Sequence, residues 1–189
     1  MPAVRLRHCR IAIVLLLAAC AGQPRHEFDR PARETITGYS IEGRVSVKRG
    51  NEANNAGIEW LHREDSDDIS FSGPLGQKVG RLRRDSTGAT LEQGAHETIH
   101  AADWSGLAER VLGVALPLGQ ISRWLTAADI GGAETDRDHL GRPLQAVVDG
   151  WRLDYLSYES ADANALPTLI EIKRDDIKVR LKIDQWQIN

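Results

Sequence analysis

His96-Glu97-Thr98-Ile99-His100 is the stretch whose residue types and spacing come nearest to catalytic chemistry. Two histidines one helical turn apart can hold zinc, and the glutamate beside the first can activate a bound water. That chemistry needs a firm helix and a third protein ligand. Gly94 stands just before the stretch, Thr98 and Ile99 are β-branched, and a better helix start comes only at Asp103. Downstream, none of Glu109, Glu134 and His139 stands out as the third ligand. A zinc-dependent peptidase through His96, Glu97 and His100 is therefore the alternative reading, and a short strand over 97–100 is the expected one. There is no Gly-x-Ser-x-Gly elbow and no phosphate loop. Asp65, Asp67 and Asp68 lack the spacing and glycine of a calcium loop. The expectation is a protein that is not an enzyme and uses no metal or cofactor.

The other reactive side chain is the thiol of Cys20. Arg5, Arg7 and Arg10 form a positive segment, Ile11 to Leu17 is unbroken apolar sequence, and Leu17-Ala18-Ala19-Cys20 closes it. The apolar run is too short to span a bilayer, and the order of charge, grease and small residues is that of an export signal. With cysteine at the junction it looks like a bacterial lipoprotein signal, with residues 1–19 removed and Cys20 carrying covalent lipid. Cys9 is the only other cysteine, so the mature chain is expected to have no disulfide. Loss of three arginines and no acids moves the formal charge from −3 to −6, which argues against nucleic acid as partner. Residues 20–37 read as the lipidated cysteine and a flexible tether, with residues 38–189 as one domain. Fully extended, the 17 residues from 21 to 37 would reach roughly 55–60 Å.

The elements that follow are mostly strands. Ile41, Gly43, Val45 and Val47 alternate with polar residues, the period of a half-buried strand. Further strands are predicted near 58–61, 69–72, 78–83, 89–92 and 97–100, with Glu64 to Asp68 as an acidic turn. Trp104, Leu107, Ala108 and Val111 then change to helical spacing behind the N-cap Asp103, with Gly113 as the stop. A second short helix covers 118–125. Strands resume at 144–148, 151–158, 168–173 and 177–183, with Asp149-Gly150 as a hairpin turn and a bulge near Gln185.

Taken in order, several motifs resemble the LolB family of outer-membrane lipoprotein receptors. They are Phe71-Ser72-Gly73-Pro74-Leu75-Gly76, Trp104 to Gly113, Leu116-Pro117-Leu118, Arg123-Trp124-Leu125, Gly150-Trp151, Tyr155, Tyr158, Leu166-Pro167 and Leu181 to Trp186. At Ala127 and Asp129 the chain departs from the glycine and proline common there. The resemblance implies a mainly β (α+β) fold: an incompletely closed antiparallel β-barrel with an inserted helical lid and an apolar cavity. It implies an outer-membrane, periplasm-facing protein, expected as a monomer, that accepts lipoproteins from the chaperone LolA and delivers their acyl chains to outer-membrane phospholipid. Candidates to line the cavity are Val45, Val47, Ile58, Trp60, Ile69, Phe71, Trp151, Leu153, Leu181 and Ile183, with Leu107, Val111, Ile121 and Trp124 from the lid. Periodicity alone would make these a solid core. Leu75, the one large side chain of the Gly73-Pro74-Leu75-Gly76 loop, either folds back or stands exposed. The resemblance implies that it acts in membrane insertion. Arg44, Lys48, Arg81, Arg83, Arg84, Lys178, Arg180 and Lys182 form either solvated strand faces or a rim for the chaperone. A different lipid-binding or structural lipoprotein on a similar fold is the remaining alternative.

Overall fold

The structure is a computed structural model that describes residues 30–94, 97–107, 116–128, 130 and 134–189. Cys20, His96, Val111, Gly113 and Asp129 lie outside them. The described strands are β1 (Tyr39–Arg49), β2 (Glu52–Arg63), β3 (Ser66–Ser72), β4 (Lys78–Asp85), β5 (Gly88–Gln93), β6 (Glu97–Ala101), β7 (Glu134–Arg137), β8 (Pro143–Val148), β9 (Trp151–Tyr158), β10 (Pro167–Arg174) and β11 (Ile177–Ile188). They form one sheet in the order β6-β5-β4-β3-β2-β1-β11-β10-β9-β8-β7. Every neighbouring pair is antiparallel, and the first strand meets the last in the middle. Because β6 and β7 remain edges, the sheet is not closed into a barrel, as the fold expectation held.

Alternation puts the apolar side chains on one face, and the register carries them from strand to strand. One row runs Ile41, Trp60, Ile69, Leu82, Leu91, Ile99 across β1 to β6. Another runs Val47, Val179, Ile172, Leu153, Ala146 across β1, β11, β10, β9 and β8. Over this face lie the helical residues 104–107 and the helix α1 (Leu118–Leu125). Asp103 caps the first of these: its Oδ1 accepts the Gly106 N–H at 2.8 Å. In α1 the spacing of Ile121, Trp124 and Leu125 presents one buried stripe to the sheet.

The predicted bulge lies at Asp184. Glu42 pairs with Gln185 and Gly43 with Ile183, so Asp184 has no partner across the ladder. Backbones close in there, and a Cβ on residue 43 would stand 2.1 Å from the Lys182 carbonyl oxygen. Only glycine fits. At the β8–β9 turn, Asp149 and Gly150 take φ of 50° and 77°, the left-handed pair of a two-residue hairpin.

Four expectations change. β2 starts at Glu52 rather than near Ile58, because its first residues pair with β1 although both their faces are polar. Asp67 and Asp68 belong to β3 rather than to a turn. β7 arises where no strand was expected, since Glu-Thr-Asp-Arg has no apolar alternation. Residues 30–37 are not free tether. Arg30 makes a two-pronged pair with Glu159 at 3.0 and 2.6 Å, residues Arg33–Thr35 form a 3-10 turn, and Ile36 packs on the core. This docking holds the chain at the end of the sheet where β1 begins and β9 ends.

Candidate functional site

The concave face gathers every described cavity candidate into one apolar cluster. Ile58, Trp60, Ile69, Leu107, Ile121, Trp124, Trp151, Leu153, Leu181 and Ile183 are buried. Val45, Val47 and Phe71 are only partly buried, and all three lie toward the sheet end opposite Tyr39. Over β1 to β3 the apolar face is therefore more open at this end, whereas Val179, Ile172, Leu153 and Trp151 stay buried at the same end of β11, β10 and β9.

Two phenols from opposite halves of the sheet hold α1 in place. The Tyr39 hydroxyl donates to the Ser122 carbonyl at 2.8 Å, and the Tyr155 hydroxyl donates to the Trp124 carbonyl at 2.9 Å. Burial pushes both hydroxyls above the ordinary phenol range, so they remain donors throughout the physiological range. Tyr158, likewise raised by burial to about 12, donates to the Pro143 carbonyl. Trp104 lies 6.2 Å from Trp60, ring centre to ring centre, and brings the other helical segment onto the same face. Tyr39 carried no signal in the sequence, where the alternation of the first strand was read from Ile41.

The loop from β3 to β4 is at the more open end. The Gly76 N–H donates to the Gly73 carbonyl at 2.9 Å, which closes a turn with Pro74 at its second position. The Gly73 N–H donates to the Gln77 carbonyl at 2.9 Å, and the Leu75 N–H donates to Gln77 Oε1 at 3.1 Å. Gly76 has φ of 79°, which glycine adopts without strain. With the backbone so fixed, Leu75 is 93% exposed. It does not fold back onto the core.

A polar network lies at the opposite end of the concave face. Asp67 Oδ1 accepts from Trp60 Nε1 at 2.8 Å and sits 2.7 Å from His62 Nδ1. Its Oδ2 accepts from Arg84 Nε at 2.8 Å. Burial pushes the carboxyl up, but the hydrogen bonds from His62, Trp60 and Arg84 outweigh it and hold Asp67 below its ordinary value. The polar inward position explains why the segment reads as a turn. Arg33, also buried, has two guanidinium nitrogens, Nε and Nη1, without a hydrogen-bond partner among the described residues, and it lies beside the Tyr155 and Tyr158 phenols.

The cationic rim divides into two sets. Arg81 pairs with Asp68, Arg83 with Glu92 at 2.9 Å, and Arg84 with Asp67. Lys178 pairs with Glu171 at 2.8 Å. Arg44 has no ion-pair partner among the described residues.

The zinc alternative does not find its helix. Glu97 and His100 are in strand β6, opposite Gln93 and Thr90, and His100 Nδ1 is 3.3 Å from Thr90 Oγ1. Among the described residues, no group of three or more His, Cys, Asp or Glu is placed to hold a metal ion.

Comparison with known proteins agrees with this arrangement. The family model described as "Outer membrane lipoprotein LolB" matches residues 37–186. The outer-membrane lipoprotein LolB of Azoarcus sp. (strain BH72) is 36% identical over 174 residues, covering 92% of this chain and 90% of the relative. That of Nitrosomonas europaea is 32% identical, covering 94% and 90%. Among solved structures, a LolA superfamily protein from Nitrosomonas europaea superposes with a TM-score of 0.54 at 11% identity, covering 84% of this chain and 90% of that one. A DUF1329 family protein from Desulfovibrio piger gives the same TM-score at 10% identity, covering 83% and 88%. The second pair shows a shared fold, the first a shared lineage: the chain belongs to the LolB family of outer-membrane lipoproteins.

Proposed function

We propose that this protein is the outer-membrane acceptor of the lipoprotein sorting route. It takes mature lipoproteins from the periplasmic chaperone LolA and releases their acyl chains into outer-membrane phospholipid, itself anchored by lipid on Cys20. The observation that carries the reading is the pairing of a helix-covered apolar concave face with a leucine held in solvent at its more open end.

The energetics suit that role. Each buried methylene is worth about 0.8 kcal/mol, so one long acyl chain in water costs on the order of 10 kcal/mol. A concave apolar face lowers that barrier, and the bilayer offers equivalent burial at the end of the route, so transfer downhill in affinity needs no nucleotide. Acyl chains enter by parting α1 from the sheet, where two phenol hydrogen bonds and apolar packing hold it. Val45, Val47 and Phe71, already partly exposed, are first to meet a chain. Leu75 then lies between cargo and bilayer. On this reading neither metal nor cofactor takes part.

The test is transfer of a labelled lipoprotein from purified LolA to this protein, then to vesicles. Cargo should move to the protein without nucleotide and pass on to the membrane. If the cargo stays with the chaperone, the reading fails.

A further inference from the structure

The outer face of β1 and β11 carries a feature that the acyl-binding face does not explain. A groove of about 920 Å³ runs along it. Arg44, Arg180 and Lys182 line it, and its far wall is Gly73, Pro74 and Gly76, the backbone that holds Leu75. None of the described lining residues is acidic.

The register makes this positive charge concentrated. Arg44 is directly opposite Lys182, and Arg180 is its diagonal neighbour opposite Ser46. Like charges facing each other across strands destabilise a sheet. Lys182 leans to Asp184 at 2.5 Å and Arg180 reaches Glu171 at only 3.4 Å, both at half exposure or more. Glu171 already serves Lys173 and Lys178. For a chain of net negative charge, three cations around one groove form an anion-binding surface.

Its position selects the anion. An apolar side chain at a loop tip with cations behind it matches a bilayer in cross-section, with acyl tails first and phosphates above them. We infer that the groove of Arg44, Arg180 and Lys182 binds the phosphate of a membrane phospholipid headgroup while the Leu75 loop is in the bilayer. The inference rests on the proposed delivery role and adds a second, electrostatic contact to it. The groove orients the open end of the apolar face toward the leaflet.

Vesicles of 3:1 phosphatidylethanolamine and phosphatidylglycerol test it, with the mature chain of residues 20–189 carrying Cys20→Ala, which lacks the apolar signal and keeps every described residue. At about 1 kcal/mol per basic side chain near an anionic surface, or roughly fivefold each, the double variant Arg44→Gln/Lys182→Gln should bind about thirty-fold more weakly. Arg44→Glu/Lys182→Glu should weaken binding further, and cargo capture from LolA should be unchanged in both. Dihexanoylphosphatidylglycerol below its micelle concentration should move the amide resonances of Gly57, Ser72 and Gly73, in the parent and in Leu75→Glu alike. Vesicle binding unchanged in both double variants overturns the inference. Loss of cargo capture with vesicle binding retained also overturns it and makes the groove a chaperone surface. Equal resonance shifts from inorganic phosphate overturn the lipid as source. If the parent chain takes no cargo from LolA, yet the double variants still lose vesicle binding, the delivery role fails and the groove stands.

Discussion

Replacing Leu75 with glutamate separates delivery from folding. The side chain is 93% exposed, and the loop is held by Gly73, Gly76 and Gln77 through bonds that do not involve it. Stability should therefore change by no more than about 0.5 kcal/mol. Insertion is another matter. A leucine moved from water into acyl chains gains about 1.5–3 kcal/mol. Glutamate forfeits that gain and adds the penalty of an acidic group in hydrocarbon, about 2.5–3.5 kcal/mol at full depth. At shallow depth the sum is about 3–5 kcal/mol, so delivery should slow by roughly a hundredfold to a few thousandfold. Leu75→Ala, which gives up only part of the burial, should slow it by roughly tenfold. The assay is two-stage: capture of labelled lipoprotein from LolA, then its appearance in sedimented vesicles. Capture should be normal in both variants and release graded Leu, Ala, Glu. Release at the parent rate by Leu75→Glu refutes the reasoning, and so does equal loss of capture and release.

Three further outcomes follow from the packing. Asp67 is held below its ordinary carboxylate value, so its contribution to stability is complete above the unfolded value, about 3.9, and is lost as the pH falls through the depressed folded value; Asp67→Asn should flatten that acid limb in urea titrations and lower stability at pH 7 by about 2–4 kcal/mol, and an unchanged acid limb would count against the network. Tyr155→Phe removes the hydroxyl that donates to Trp124, so α1 should loosen by about 0.5–1.5 kcal/mol, seen as faster amide exchange over 121–125 with the strands unchanged. Gly43→Ala should cost about 1–3 kcal/mol in urea unfolding, because its Cβ would meet the Lys182 backbone rather than a side chain that can swing aside.

Strands with one buried face announce themselves. The alternation of Ile41 to Val47 and of Ile177 to Ile183 named the inward residues correctly, because only one register keeps them all out of water. Where polar residues occupy both faces or the inner one, the signal disappears. Glu52 to Asn55 extend β2 with no apolar residue larger than alanine, and Asp67 points inward because Trp60, His62 and Arg84 are there to receive it. No local pattern reveals such partners. Arg30 and Arg33 read as tether for the same reason, since Glu159 and the phenols they approach are over a hundred residues away. The loop around Leu75 was legible from its glycines and proline, but its exposure depends on bonds to Gln77. The departure at Ala127 is informative too. That residue has φ of 56° and is buried, so an alanine takes the left-handed conformation that glycine adopts at less cost.

The Arg30–Glu159 pair also sets a leash length. The chain is pinned at Arg30, so the run from Cys20 measures ten residue steps, roughly 33–36 Å when taut, rather than the longer reach of an undocked segment. The pin is at the sheet end where β1 begins, and Leu75 projects from the other. Along β3 the two levels differ by the five residues from Asp67 to Ser72, about 17 Å, before the loop adds its own height. For the lipid proposed at Cys20 and Leu75 to share one leaflet, those ten steps have to cover the height between the two levels, which they can with on the order of 10 Å of slack. On the proposed role the body would face the membrane loop-first, with its pinned end uppermost, and the length from Cys20 to Arg30 would work as a ruler. Five residues fewer would remove about 17 Å, more than the slack, and lift Leu75 clear of the lipid.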